Sequence, residues 1–330
     1  MAFRDRTAGY MPGQPGVLGV NYTSTFAKSM MADSRLMYVN PNHADATDDG
    51  NTGENPEQPF LTVAAALLRT RDNRGDVILV GQNDAWQYGG GSTWQTPIAE
   101  EVTITTEGVS LIGVSPGSLG VTWHPVTAAG AGTCITVNAM DVFISGFTFE
   151  GGALGGIGIH AIWNGTTLFG ENLVVQGCFF DSGIDIGIQL EYSWFARIHG
   201  CTFEACDFAG IYNDPTDSDA AYAHIYDNTF IDVGLGTGAT GAISFQGVTD
   251  CYIYNNRIYN SNAEAANAAT DEGIDTAGGD RNLVSDNWFS CVLTDTAANG
   301  DWGEFNSGAA TDAWVGNHCT TGIAVNTPDF

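Results

Sequence analysis

Basic side chains are scarce in this chain. Its 330 residues hold 10 Lys and Arg against 38 Asp and Glu, a formal net charge of −28 at pH 7. The single lysine is Lys28, and from residue 75 onward only Arg197, Arg257 and Arg281 oppose 30 acidic residues. Phosphate backbones and anionic lipid headgroups are held by Lys and Arg, so this composition excludes nucleic acid and membrane surfaces as partners. Long apolar runs are missing as well: no stretch of 18 apolar residues is present to cross a bilayer as a helix. The segment from Met1 to Pro12 lacks the apolar core of a secretory leader. Cysteines number seven, an odd count, with Cys178 and Cys201 at equivalent positions of a repeat. They read as buried reduced thiols, with a structural disulfide ladder as the other reading.

What the chain has in abundance is glycine, 43 residues, set in a background that is still 43% hydrophobic. Such glycine marks turns rather than disorder. Seven copies of one phrase show where those turns fall: Ile144-Ser-Gly146-Phe-Thr-Phe149, Val175-Gln-Gly177-Cys-Phe-Phe180, Ile198-His-Gly200-Cys-Thr-Phe203, Ile225-Tyr-Asp227-Asn-Thr-Phe230, Ile253-Tyr-Asn255-Asn-Arg-Ile258, Val284-Ser-Asp286-Asn-Trp-Phe289 and Trp314-Val-Gly316-Asn-His-Cys319. Their third residues are 31, 23, 27, 28, 31 and 30 apart. A period of this length means stacked units, each burying its apolar face on the next. The third column contains only Gly, Asp and Asn, the residues that enter positive φ at least cost, so a bend is predicted there. Period-2 alternation with β-branched and aromatic enrichment on either side predicts strands. Asn228, Asn256, Asn287 and Asn317 follow four consecutive bends. They predict an internal ladder in which each amide bonds the rungs on both sides.

Coils of this size, stacked about 4.8 Å apart, form a parallel β-helix. Here the chain resembles the pectin-lyase-like right-handed β-helix superfamily over about residues 38–325. The opening of the resemblance is Tyr38 through Asp45 to Gly50, then Pro59 through Ala66. It implies a first strand and a short helix that plugs the end of the solenoid. The residues support that helix: Thr62 can cap it, Val63, Ala64, Leu67 and Leu68 give an apolar side, and Arg69 and Arg71 suit its C-terminal end. The expected architecture is therefore all-β. It comprises an extended docking arm over residues 1–37 and a parallel β-helix over 38–330, with the opening strand and capping helix at 38–75 and the coils at 76–325.

A second strand register runs through His160, Gln189, Tyr212, Ser244 and Asp275, which should line up outside if the neighbouring Ile residues face inward. With Trp163, Tyr192 and Trp194, the residues His160, Gln189 and Tyr212 are the candidates for binding sugar. If the wall were catalytic, Glu191, Asp214 and Asp275 would be the carboxylates, because rungs one and two apart place groups about 5 and 10 Å from each other. Enzymes of the resembled superfamily are similar to machines with a Lys or Arg base, or with Asn-x-Asp, paired Asp, His-Gly and Arg-x-Lys. Neither set is present in this wall. Asp271, Glu272, Asp275 and Asp280 form an acid-dense stretch that reads as a solvated loop, weakly bound Ca2+ being the other reading, and no cofactor is expected.

Charge divides the chain: residues 1–40 carry Arg4, Arg6, Lys28 and Arg35 against Asp5 and Asp33. A weakly basic arm on an acidic body is expected to dock on a larger assembly. The favoured expectation is a structural surface protein of a virus particle, of a tailed phage by the resemblance. The arm would meet capsid or tail proteins, and the β-helix would project toward host-surface polysaccharide. Related virion members imply a homotrimer. The alternative is an extracellular or tailspike enzyme that degrades polysaccharide, a hydrolase rather than a lyase.

Overall fold

The computed structural model describes residues 33–82, 97–114, 121–127, 132–151, 155–163, 170–213, 220–234, 241–260, 273–276, 278–291 and 312–319. Within them the chain winds through three parallel sheets of ten, nine and seven strands, labelled I, II and III. From Val102 to Cys291 each coil visits III, I and II in turn, as Ile186–Leu190, Arg197–His199 and Thr202–Glu204 do. Strands of successive coils pair in register, so that one residue type stacks on its equivalent along the axis. No helix among the described residues is long and apolar enough to cross a membrane.

The predicted bend is present in all seven copies. Gly146, Gly177, Gly200, Asp227, Asn255, Asp286 and Gly316 have φ between +54° and +78° and link sheet I to sheet II. On the sheet I side, Ile144, Val175, Ile198, Ile225, Ile253 and Val284 form one buried column. Across the bend, Phe149, Phe180, Phe203 and Phe230 stack with ring centroids 5.0, 4.7 and 4.7 Å apart. That spacing is the rung spacing of a β-sheet. The rings press on the backbone of sheet III: a Cβ added at Gly158, Gly187 or Gly210 would lie 2.8, 2.6 or 2.7 Å from the ring of Phe180, Phe203 or Phe230.

The asparagine ladder is closed. Nδ2 of Asn228 donates to Oδ1 of Asn256 at 3.1 Å, and the next two rungs repeat this at 3.0 Å through Asn287 to Asn317. Each Oδ1 also accepts the backbone N–H of the preceding rung, and each Nδ2 also reaches a backbone carbonyl. Buried amides thus keep their hydrogen bonds at no cost in unpaired groups. Coils before the ladder fill the same corner with Phe147, Cys178 and Cys201. Among the described residues Cys134, Cys178, Cys201, Cys206 and Cys251 are free and buried. Burial pushes the Cys251 thiol up to about 12, which rules it out as a thiolate nucleophile near neutral pH.

At the N-terminal end a five-residue helix, α1 (Val63–Leu67), packs on the strands Leu36–Val39, Val77–Gly81 and Val102–Ile104. Thr62 caps it as expected, Oγ1 accepting from Ala65 N at 3.1 Å. Two acids add to the cap. Asp48 accepts from Leu61 N and Thr62 N at 2.9 and 3.0 Å, and Glu100 accepts from Val63 N and Ala64 N, both at 3.1 Å. Burial lifts the Glu100 carboxyl above its usual range, against the pull of those two N–H groups. The expected apolar side needs correction: the helix ends before Leu68, which is left 86% exposed, and the buried residues are Val63 and Ala66. Arg71 serves another purpose than the helix terminus, since its NH2 lies 3.3 Å from Oδ1 of the buried Asp76. Arg35, expected in the arm, belongs to the body; its N–H donates to the same Asp76 at 2.7 Å, one residue before the strand Leu36–Val39. Arg4, Arg6 and Lys28 lie outside the described residues.

Candidate functional site

The outward row of sheet III is in the register read from the sequence. His160 pairs with Gln189, Gln189 with Tyr212, Tyr212 with Ser244 and Ser244 with Asp275. The Ile residue before each of them is buried, and this fixes which face the row occupies. Solvation along the row differs from the expectation. His160 and Tyr212 are half-buried, whereas Gln189, Ser244 and Asp275 are buried. Small side chains sink between large neighbours: Ser244 lies between Tyr212 and Asp275, and Gln246 donates its amide to Asp275 Oδ2. Ser244 Oγ is enclosed without a hydrogen-bond partner.

One polar cluster joins two rungs. Glu191 follows the strand Ile186–Leu190, and its Oε1 accepts from Gln189 Nε2 at 2.7 Å. Nε2 of His160, on the preceding rung, lies 2.9 Å from the same oxygen but off the line of a hydrogen bond, so the two form a close electrostatic contact. Beside it the Trp163 and Tyr192 rings meet at 5.1 Å, with Trp163 38% exposed and Trp194 beyond them 44% exposed. Tyr212 turns away toward Phe208, edge to face at 5.2 Å.

Of the candidate carboxylates, the two among the described residues, Glu191 and Asp275, are not brought together as a catalytic pair. Gln189 and Asp275 are three rungs apart in the pairing, which places Glu191 and Asp275 about 14 Å from each other along the axis. Glycosidases that use two carboxylates hold them about 5 to 9.5 Å apart. Asp214 lies outside the described residues, as do Asp271 and Glu272. Asp280 is paired with Arg281, and Asp48 is used on α1. No group of three His, Cys, Asp or Glu with a metal-holding arrangement occurs among the described residues.

No family model and no curated protein matches the chain. Solved structures do. The GH136 lacto-N-biosidase from Eubacterium ramulus superposes with a TM-score of 0.56 at 13% identity, over 86% of this chain and 56% of that one. The C387A mutant of DFA-IIIase from Arthrobacter chlorophenolicus A6 gives 0.52 at 13% identity, over 95% and 66%. These likenesses and the three stacked parallel sheets agree on one fold for this chain, a parallel β-helix. The β-helix spans less than two thirds of either neighbour's length, and 13% identity speaks for fold and nothing finer. A Dettilon tailspike protein also aligns, at 13% identity over 84% of this chain and 68% of that one, but its TM-score of 0.36 is too low to carry weight.

Three features of the β-helix, two on its surface and one inside, were not read from the sequence. Sheet I carries an outward ring ladder, His199 on Tyr226 on Tyr254, with centroids 4.7 and 5.0 Å apart. A second buried polar column runs from Cys251 N through Asn282 to Asp312, at 3.0 and 2.9 Å. Phe195 and Tyr222 stack at 5.0 Å on the corner between sheets III and I. The signal for that corner was present: it falls three residues before each Ile or Val of the sheet I column.

Proposed function

We propose that this chain is a glycan-binding β-helix displayed on the surface of a virus particle. The observation that carries the binding is the corner where exposed Trp163 and Trp194 and half-buried Tyr192 stand beside the His160, Glu191 and Gln189 cluster. Aromatic faces beside fixed donors and acceptors suit a sugar, whose C–H face is apolar and whose rim is hydroxyl. Docking through residues 1–37 and assembly as a homotrimer complete the proposal. Its support is the charge division, weakly basic before residue 40 and strongly acidic after residue 75. The alternative is a glycoside hydrolase, favoured by the Glu191 carboxylate held 2.9 Å from His160.

The deciding experiment is a glycan array with the intact protein, followed by titration of the best ligand against Trp163→Ala and Tyr192→Ala. Binding should weaken at least about tenfold in each, a loss of ~1.4 kcal/mol. Release of reducing ends that stops in Glu191→Gln would replace binding by hydrolysis. For docking, deletion of residues 1–32 spares Arg35 and the first strand. The deleted protein should remain folded and no longer join particles, and its undiminished incorporation would refute the docking role.

A further inference from the structure

The backbone turns into sheet I through a second bend column. It runs Gly75, Gly108, Asp141, Asn172, Phe195, Tyr222, Asp250 and Arg281, and every member has φ between +54° and +75°. The bend is a demand of the coil: the N–H groups of Asn172, Phe195, Tyr222 and Asp250 each donate to a carbonyl of the next rung, at 2.8 to 3.1 Å. Gly, Asn and Asp meet that demand cheaply. Phe, Tyr and Arg do not, because a bulky side chain at positive φ crowds its own backbone.

Arg281 has a visible reason to be there, donating to both carboxylate oxygens of Asp250 at 2.8 and 2.6 Å and pairing with Asp280. Phe195 and Tyr222 have no such reason in the interior. Their rings stack on each other, 5.0 Å apart and 12° from parallel, yet remain 45% and 41% exposed. Trp194, next in the chain to Phe195, is exposed to the same degree. A local rule broken at a surface position, with apolar rings left in water, is the signature of a site at which stability has been given up for contact. The guanidinium of the column is committed to two carboxylates, in a chain of net charge −28, which disfavours an acidic ligand.

We infer that Phe195 and Tyr222 form a stacking ridge for a neutral hexose chain, extending the Trp163 and Tyr192 corner onto the next rungs. This rests on the glycan-binding reading above. Asp250, locked in place by Arg281 at the end of the ridge, offers fixed acceptors to sugar hydroxyls.

Asparagine keeps the bend while removing the ring, which makes Phe195→Asn with Tyr222→Asn the informative variant. The probes are cellohexaose, maltohexaose and chitohexaose, with hexagalacturonate as the acidic control, titrated calorimetrically into the full chain. The double variant should lose at least about tenfold in affinity for the bound neutral probe, equivalent to ~1.4 kcal/mol. Its thermal midpoint should stay within a few degrees of the parent, and Phe195→Tyr should keep the affinity. Unchanged affinity in the double variant overturns the ridge. So does a fall in midpoint beyond about 10 °C, which would make the rings structural, or tighter binding of hexagalacturonate than of the neutral probes. If Trp163→Ala abolishes binding while the ridge variant binds normally, the ridge alone fails. If the parent binds none of these sugars, the ridge and the glycan-binding reading fall together.

Discussion

Two bend columns flank sheet I, and both hold the backbone at positive φ with different residues. The bend into sheet II is made of Gly, Asp and Asn in all seven copies. The bend into sheet I begins in the same way, from Gly75 to Asn172, and returns to it at Asp250, but places Phe195, Tyr222 and Arg281 at the other positions. Backbone geometry alone selects the cheapest residue, as the first column does throughout. Where a column departs from that choice, the side chain has a second duty: Arg281 pairs with acids, and Phe195 and Tyr222 present rings to solvent. The interior obeys the first rule, with one residue type repeated and each polar group of the ladder matched. The corner and the outward row do not, and the proposed binding surface rests on this contrast.

The firmest way to break the comparison is to spoil the corner beside the first bend. Asn256 accepts from the N–H and Nδ2 of Asn228, and donates to Ile225 O and Asn287 Oδ1. Asn256→Leu leaves the Asn228 N–H buried and unpaired and removes both amide bonds that Asn256 donates, so urea denaturation should show a loss of about 3 kcal/mol. A loss under about 1 kcal/mol would mean that the ladder is ornamental. A smaller effect sharpens the contrast itself. At Gly200 nothing lies nearer than 3.9 Å to an added Cβ, so Gly200→Phe imposes on the first column only the strain that the second column bears at Phe195. The expected cost is about 2 kcal/mol. If the variant is as stable as the parent, bulky residues are not strained in this bend and the ridge argument loses its premise.

Much of this was legible from the columns. Interior positions admit few residue types, so the bends, the Phe stack and the Asn ladder could be read from repetition alone. The outward row of sheet III followed by counting from inward Ile, and His160 through Asp275 do stand in register. What counting could not supply was overhang: whether Ser244 is open to water depends on how its neighbours lie. The second bend escaped notice because Phe195, Tyr222 and Arg281 carry none of the composition by which bends are recognised. Helix α1 was legible at its cap, where one hydroxyl decides, and not at its end, where Leu68 leaves the core and Arg71 turns to Asp76.

The smallest effect concerns protons on the strands that join the two bends. His199 stacks on Tyr226 at 4.7 Å and His224 on Tyr252 at 4.9 Å, both on the outer face of sheet I. Burial holds both imidazoles below the usual range and Arg197 adds to this, while Asp227 pulls His199 partly back. The unfolded chain therefore binds these protons more readily than the folded one. Their contribution to stability is complete above the unfolded value of about 6.5 and is lost as pH falls through the lower folded values. Urea midpoints should be flat between about pH 7 and 8 and decline below about 6.5. His199→Gln with His224→Gln should remove that decline, leaving only the carboxylate titrations at lower pH. A double variant that follows the parent curve down would show that these imidazoles titrate as free side chains. His199 adjoins the Gly200 bend and His224 lies two residues past Tyr222. If the acid loosening spreads from sheet I, it should therefore reach the strained corner as well, and ridge affinity at about pH 5.5 should fall in the parent more than in the glutamine variant.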